Sequence, residues 1–246
     1  MVTKRHRYKN NNTRKNTLHK TDNIVFFDDD FTHNISPFRK SFPLMKSILV
    51  PTKKPYSQIL KGKSSLYYPI MFLKKYKDNK LAQQSVNTMS SDKYTETSQG
   101  ISISGIKKII KWANIPSNKP RTILFDWDKT ISVMNRVYLP KLHSNKYSAD
   151  DAAHFFSGTL ERFKALQNMF FELHKNNIIY FIFTNNGWGH LVKGQEENFY
   201  FFLDIVKVLA PHITEKNIIY GEGDKVKTFK ENKELMQLYR MSEVTY

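Results

Sequence analysis

Two short stretches place acidic side chains where they could act on a phosphoryl group. In "RTILFDWDKTIS", Arg121 to Ser132, an apolar run ends in Asp126, a second carboxylate follows at Asp128, and a hydroxyl follows at Thr130. The same D-x-D-x-T spacing occurs in "NIVFFDDDFTH", through Asp28, Asp30 and Thr32. One carboxylate in such a pair can attack phosphorus and carry an aspartyl-phosphate. The other, two positions on, can protonate the leaving oxygen and then activate water. A hydroxyl and a lysine can hold the phosphoryl oxygens as charge redistributes. Hard oxygen ligands around two carboxylates favour Mg²⁺.

These groups need elements to carry them. "IIYFIFTNNG" is apolar without alternation and reads as a strand buried on both faces, ending in Thr184 and Asn185. "NIIYG" reads as a third strand, with Asp224, Lys225 and Lys227 just beyond it. Ligands of open parallel sheets bind beyond the carboxyl ends of the strands, where all these residues fall. "ISGIKKIIKWANI", "QEENFYFFLDIVKVLAP" and "KVKTFKENKELMQLYRM" carry helical patterns. One long helix is expected from a Ser148…Asp151 capping box to Lys175. The alternation predicts an α/β domain: a Rossmann-like parallel sheet with helices on both faces. That domain is assigned to residues 101–246. Residues 1–100 are read as a basic, largely irregular region and linker.

Charge separates the same two parts. Residues 1–120 hold 23 Lys/Arg against 7 Asp/Glu, whereas residues 121–246 hold 16 against 15. The formal net charge of +17 therefore belongs to the N-terminal half. A cationic arm suits nucleic acid or another anionic partner. No apolar run reaches the ~18 residues of a membrane span. The N-terminus lacks the apolar stretch of a secretory signal. Cysteine is absent, which removes disulfides, thiolate metal sites and a Cys nucleophile. These features predict an intracellular protein of cytoplasm or nucleus, and the Lys/Asn-rich composition suits a large virus.

The ordered set of an apolar run with D-x-D-x-T, an apolar run with T-N and a downstream lysine resembles the haloacid dehalogenase superfamily of phosphohydrolases. The resemblance covers residues from about 118 to 246. It implies Asp126 as nucleophile, Asp128 as general acid/base, and Thr184 with Lys225 or Lys227 as phosphate ligands, Lys227 slightly preferred. Asn185 goes with the phosphate-binding group. Mg²⁺ is implied on Asp126 and the backbone carbonyl of Asp128. "TNNGWGHLVKG" is loosely similar to a loop of polynucleotide 3′-phosphatases and histidinol-phosphate phosphatases within the superfamily. With the basic arm this makes a nucleic-acid end phosphate one candidate substrate, beside a small phosphometabolite or a phosphoprotein.

The family's fourth motif, an acidic pair after a further strand that completes the metal site, has no counterpart after Lys227. Glu222 and Asp224 are candidates to replace it, with Asp224 assigned to the metal. If "NIIYG" is instead the third strand, both acids lie one strand away and a lysine lies nearer; the order of elements favours this arrangement. A catalytically inactive scaffold with a basic interaction arm is the alternative. The copy at Asp28 is followed by Pro37 and by no second T-N strand. It is read as an acidic patch pairing with lysines of the arm, without a role in the site.

Overall fold

A computed structural model describes residues 18–50, 100–133, 139–144 and 146–243. Its centre is a five-stranded sheet, parallel throughout, in the order β2-β1-β3-β4-β5. The strands are β1 (Ile24–Asp28), β2 (Lys46–Leu49), β3 (Thr122–Phe125), β4 (Ile179–Thr184) and β5 (Ile218–Tyr220). Alternate side chains enter opposite layers, as the pleat requires. Val25, Phe27, Ile123, Phe125 and Ile182 join one core, and Phe26, Leu124, Phe181 and Phe183 join the other. Burial on both faces explains why these strands read as unbroken apolar runs.

The first layer is covered by α2 (Ile103–Ala113), α4 (Ala149–Ser157), α5 (Leu160–Lys175) and α6 (Glu196–Leu209). The second is covered by α1 (Ser36–Ser41), α7 (Lys225–Glu231) and α8 (Lys233–Glu243). A short α3 (Leu139–Ser144) lies between β3 and α4. Among the described residues, no helix is long and apolar enough to cross a membrane.

Three expectations change. Residues 24–49 are not irregular: they supply β1 and β2, and β1 sits directly beside β3. The rest of the basic region, 1–17 and 51–99, lies outside the described residues. The long helix expected from Ser148 is two helices. Ser148 does cap the first, accepting from Asp151 N at 3.1 Å. The chain breaks at Gly158, whose φ of +83° is left-handed, and Thr159 caps α5. The last helix likewise divides at Asn232, whose side chain accepts from Leu235 N at 3.0 Å.

Candidate active site

The register that pairs Phe27 with Phe125 brings the two D-x-D-x-T copies together at the carboxyl edge of the sheet. Asp126 N donates to Phe27 O at 2.9 Å, so Asp28 and Asp126 end adjacent strands side by side. Both follow the parity of Phe26 and Leu124, which turns their carboxylates toward the layer of α7. Each copy then bends through a wide turn. Ile35 N bonds Asp30 O at 2.9 Å in one, and Ser132 N bonds Trp127 O at 2.9 Å in the other. Lys129, at the tip of the second, takes φ +57°, a left-handed conformation that is costly for a side-chain-bearing residue.

Lys225 enters between the two strand ends. Its Nζ donates to Asp28 Oδ2 at 2.7 Å and to Asp126 Oδ1 at 2.6 Å. It also lies over the rings of Phe26 and Phe183, at 5.7 and 5.8 Å from their centroids. Lys225 is 2% exposed, Asp28 1% and Asp126 5%. Its place follows from local sequence: Asp224 caps α7 by accepting from Lys227 N at 3.0 Å, so Lys225 is the first helical residue. Side chains there lean back toward the N-terminus, here toward the sheet. The Lys227 side chain is 67% exposed and, among the described residues, pairs with Glu231 at 4.0 Å. The preference for Lys227 is therefore corrected in favour of Lys225.

The acidic cluster is the second correction. Asp28, Asp29 and Asp126 each present an oxygen within 4.8 Å of the others. Among the described residues, the partners of the Asp28 copy lie outside the arm. Asp28 pairs with Lys225, Asp29 lies 3.9 Å from Lys129 Nζ, and Asp30 turns away to accept from His33 N and Nδ1. Asn34, buried in the turn after β1, donates to both oxygens of Asp28 at 3.1 Å and sets the plane of that carboxylate. Asp224 is not in the cluster. It is occupied as a helix cap beyond β5, and β4 stands between β5 and β3, the strand that ends in Asp126. Glu222 is exposed in the same turn.

Charge in so small a volume is not balanced by one lysine. Burial raises the proton affinity of Asp126; Lys225 opposes this, Asp28 and Asp128 add to it, and the balance is upward. Burial and the neighbouring Asp28 push Asp29 up to about 6. For Lys225, burial alone would favour the neutral amine, but Asp126 and Asp28 outweigh it and keep the ammonium. Lys129, 3.9 Å from Asp29, is a second cation, and a metal ion would complete the balance. Mg²⁺ holds oxygens at ~2.0–2.1 Å, so opposite ligands stand about 4.2 Å apart, close to the spread of this cluster. Asp28, Asp29 and Asp126 fit such an ion, and Asp128 follows two positions after Asp126.

Thr184 ends β4 on the other flank and is fully buried. Its Oγ1 accepts from Asn186 N at 3.0 Å, leaving its own hydrogen to give. Asn185 meets the backbone of β5's exit: a Cβ added at Gly221 would collide with Asn185 Oδ1 and lie 2.7 Å from Lys225 Cγ. Asn185 and Lys225 therefore meet at Gly221, and Lys225 reaches on to Asp126, whereas Thr184 shares the parity of Ile182 and turns toward the other layer. Behind them Arg162, wholly buried, donates to Ile101 O at 2.9 Å, Ser157 O at 3.1 Å, Thr130 O at 3.2 Å and Ile131 O at 2.8 Å. It fixes the loop that carries Asp128. Burial pulls its guanidinium down to about 9. Neither Asn34 nor Arg162 carried a sequence signal that singled it out; the repeat of D-x-D-x-T was the available pointer to Asp28.

No family model, curated protein or solved structure matches this chain.

Proposed function

We propose that this chain is a Mg²⁺-dependent phosphomonoesterase of the haloacid dehalogenase type, working through an aspartyl-phosphate on Asp126. The observation that carries the reading is the convergence of Asp28, Asp29 and Asp126 within 4.8 Å around the buried ammonium of Lys225. The acidic pair lacking after Lys227 is then Asp28-Asp29, delivered by a strand that precedes the nucleophile in the chain. Parallel strands pair by register and not by chain order, so an N-terminal strand can occupy that place. The alternative of an inactive scaffold rested on the missing pair, and the cluster removes its main support.

In this mechanism Asp126 attacks phosphorus and forms an O–P bond as the ester O–P bond breaks. Asp128 gives its proton to the leaving oxygen, then takes one from the water that releases phosphate. Lys225 donates to the phosphoryl oxygens, and Asn34 keeps Asp28 oriented. Mg²⁺ held by Asp126, Asp28 and Asp29 would supply Lewis-acid stabilisation and lower the repulsion between nucleophile and substrate. Hydrolysis of p-nitrophenyl phosphate tests the reading. It should proceed with Mg²⁺, stop with EDTA, and stop in Asp126→Asn. Turnover unaffected by that substitution would reject it.

A further inference from the structure

We infer that Lys129 couples the two ligands of this site: it shares Asp29 with the divalent ion, and pairs with the substrate's phosphoryl group once the ion takes that carboxylate. This rests on the phosphatase reading and names a further substrate-binding residue of that same site.

Backbone geometry sets the side chain there under strain. Lys129 holds φ 57° and ψ 12°, left-handed values that glycine or asparagine adopts more easily. The next residues leave the turn no slack. Thr130 O accepts from Ile101 N at 2.9 Å and from Arg162 Nη2 at 3.2 Å, and Arg162 also holds Ile131 O at 2.8 Å. The fixed turn carries the ammonium to 3.9 Å from Asp29 Oδ2.

Two lysines meet the three carboxylates in different ways. Lys225 donates at 2.7 and 2.6 Å from a side chain that is 1% exposed, so it is fixed. At 3.9 Å Lys129 makes an ion pair without a hydrogen bond, and its side chain is 34% exposed. Its partner Asp29 is also more exposed than Asp28 or Asp126. Lys225 therefore closes the inner side of the cluster, over the rings of Phe26 and Phe183. Lys129 stands on the solvent side, from which an ester reaches Asp126.

Charge links the two events. When ionised, Asp28, Asp29, Asp126 and Asp128 outweigh the two ammonium groups, and the cluster repels a phosphate dianion. A divalent ion removes that excess. Asp29 bonded to the ion attracts Lys129 less, and the ammonium, on its flexible stem, is then available to a phosphoryl oxygen. Each ligand strengthens the other by an amount that Lys129 sets.

Calorimetry on the full chain at pH 8 tests this. Mg²⁺ is titrated with and without inorganic phosphate, and phosphate is titrated in Mg²⁺ and in EDTA. The parent should bind phosphate about tenfold or more tightly in Mg²⁺ than in EDTA. In Lys129→Met, Mg²⁺ alone should bind about fivefold more tightly, phosphate in Mg²⁺ about fivefold more weakly, and phosphate in EDTA as before. Loss of a nearby positive charge without sharing would move the affinities and leave the coupling factor intact. Lys129→Gly, which suits the backbone, should match Lys129→Met, and Lys129→Arg should keep the coupling. Lys164→Met, at an exposed position of α5, should change no constant.

An unchanged coupling factor in Lys129→Met, or weaker Mg²⁺ binding by it, overturns the assignment. If the parent then still hydrolyses p-nitrophenyl phosphate, the phosphatase reading stands. Lys129-dependent coupling without hydrolysis of any ester overturns the phosphatase and leaves the coupling. A parent that binds no Mg²⁺ rejects both.

Discussion

Asp28 and Lys225 are 197 positions apart in the chain and 2.7 Å apart in the fold. The contact closes a triangle with Asp126, and it makes the first D-x-D-x-T copy a partner of the second.

Asp28→Asn should therefore be as damaging as a change in the pocket itself. It keeps the shape of the side chain but removes a charge from the cation site and weakens the hold on Lys225. Mg²⁺-dependent turnover of an aryl phosphate should fall by about 100-fold or more, the scale seen when one preorganised electrostatic group is lost. Activity within twofold of the parent would return Asp28 to a surface role.

Lys225 and Lys227 should separate sharply. Lys225→Met strands two buried carboxylates without their cation, a change that costs about 3–5 kcal/mol when one partner of a buried pair is removed. Lys227→Met alters an exposed helix position and should stay within about 0.5 kcal/mol. Urea denaturation in EDTA measures both, free of any assumption about catalysis.

The acidic cluster makes stability depend on pH in an unusual direction. Asp29 has its ordinary 3.8 in the unfolded chain and about 6 in the fold, so the folded state holds its proton more tightly. Its contribution is present below pH 3.8, is lost as pH rises between 3.8 and about 6, and stays lost above. Asp126 shifts in the same direction. Mg²⁺ competes with those protons, so it should raise Tm clearly at pH 8 and little at pH 4.5. An equal rise at both would argue against binding through these carboxylates.

Arg162→Met tests the support of the Asp128 loop. Four backbone carbonyls lose a donor at once, although Thr130 O keeps another from Ile101 N at 2.9 Å. A buried acceptor left unmatched costs about 1–3 kcal/mol, so a total loss of about 3 kcal/mol or more is expected. Arg162→Lys should recover only part, because an ammonium has three donors and no planar fork. Thermal melts of the three proteins decide it.

The part of the fold after Gly100 was readable because its strands are short apolar runs and its helices show an i, i+3, i+4 period. β1 was readable as an apolar run too, but its meaning was not. Its partner β3 begins almost a hundred residues later, and nothing local to "IVFFD" announces a parallel pairing across that gap. Its nearer partner β2 is only four residues long and lies between Pro37 and Pro51 in the chain, which hides it as a strand. The places of Asp126, at the end of β3, and of Thr184 and Asn185, at the end of β4, were legible because each follows an apolar run. The choice of Lys225 over Lys227 depended on Asp224 acting as a helix cap, which sets the phase of α7 by two residues. Gly158 was passed over since the apolar period runs through it; only its left-handed backbone divides α4 from α5.

The position of β1 also sets a problem of timing during synthesis. β1 leaves the ribosome long before its neighbour β3 and before the lysine that neutralises its terminal acid. At ~5–20 residues per second, the interval between Asp28 and Lys225 is roughly 10–40 s. Until β3 follows, roughly 5–20 s after Asp28, one edge of an apolar strand is unpaired, the kind of edge that recruits other chains. The run Asp28-Asp29-Asp30 at its end, uncompensated until Lys225 and Lys129 arrive, places three like charges beside that edge. The same carboxylates that would later hold a cation thus repel another copy of the nascent strand, which gives the cluster a protective role before the site exists.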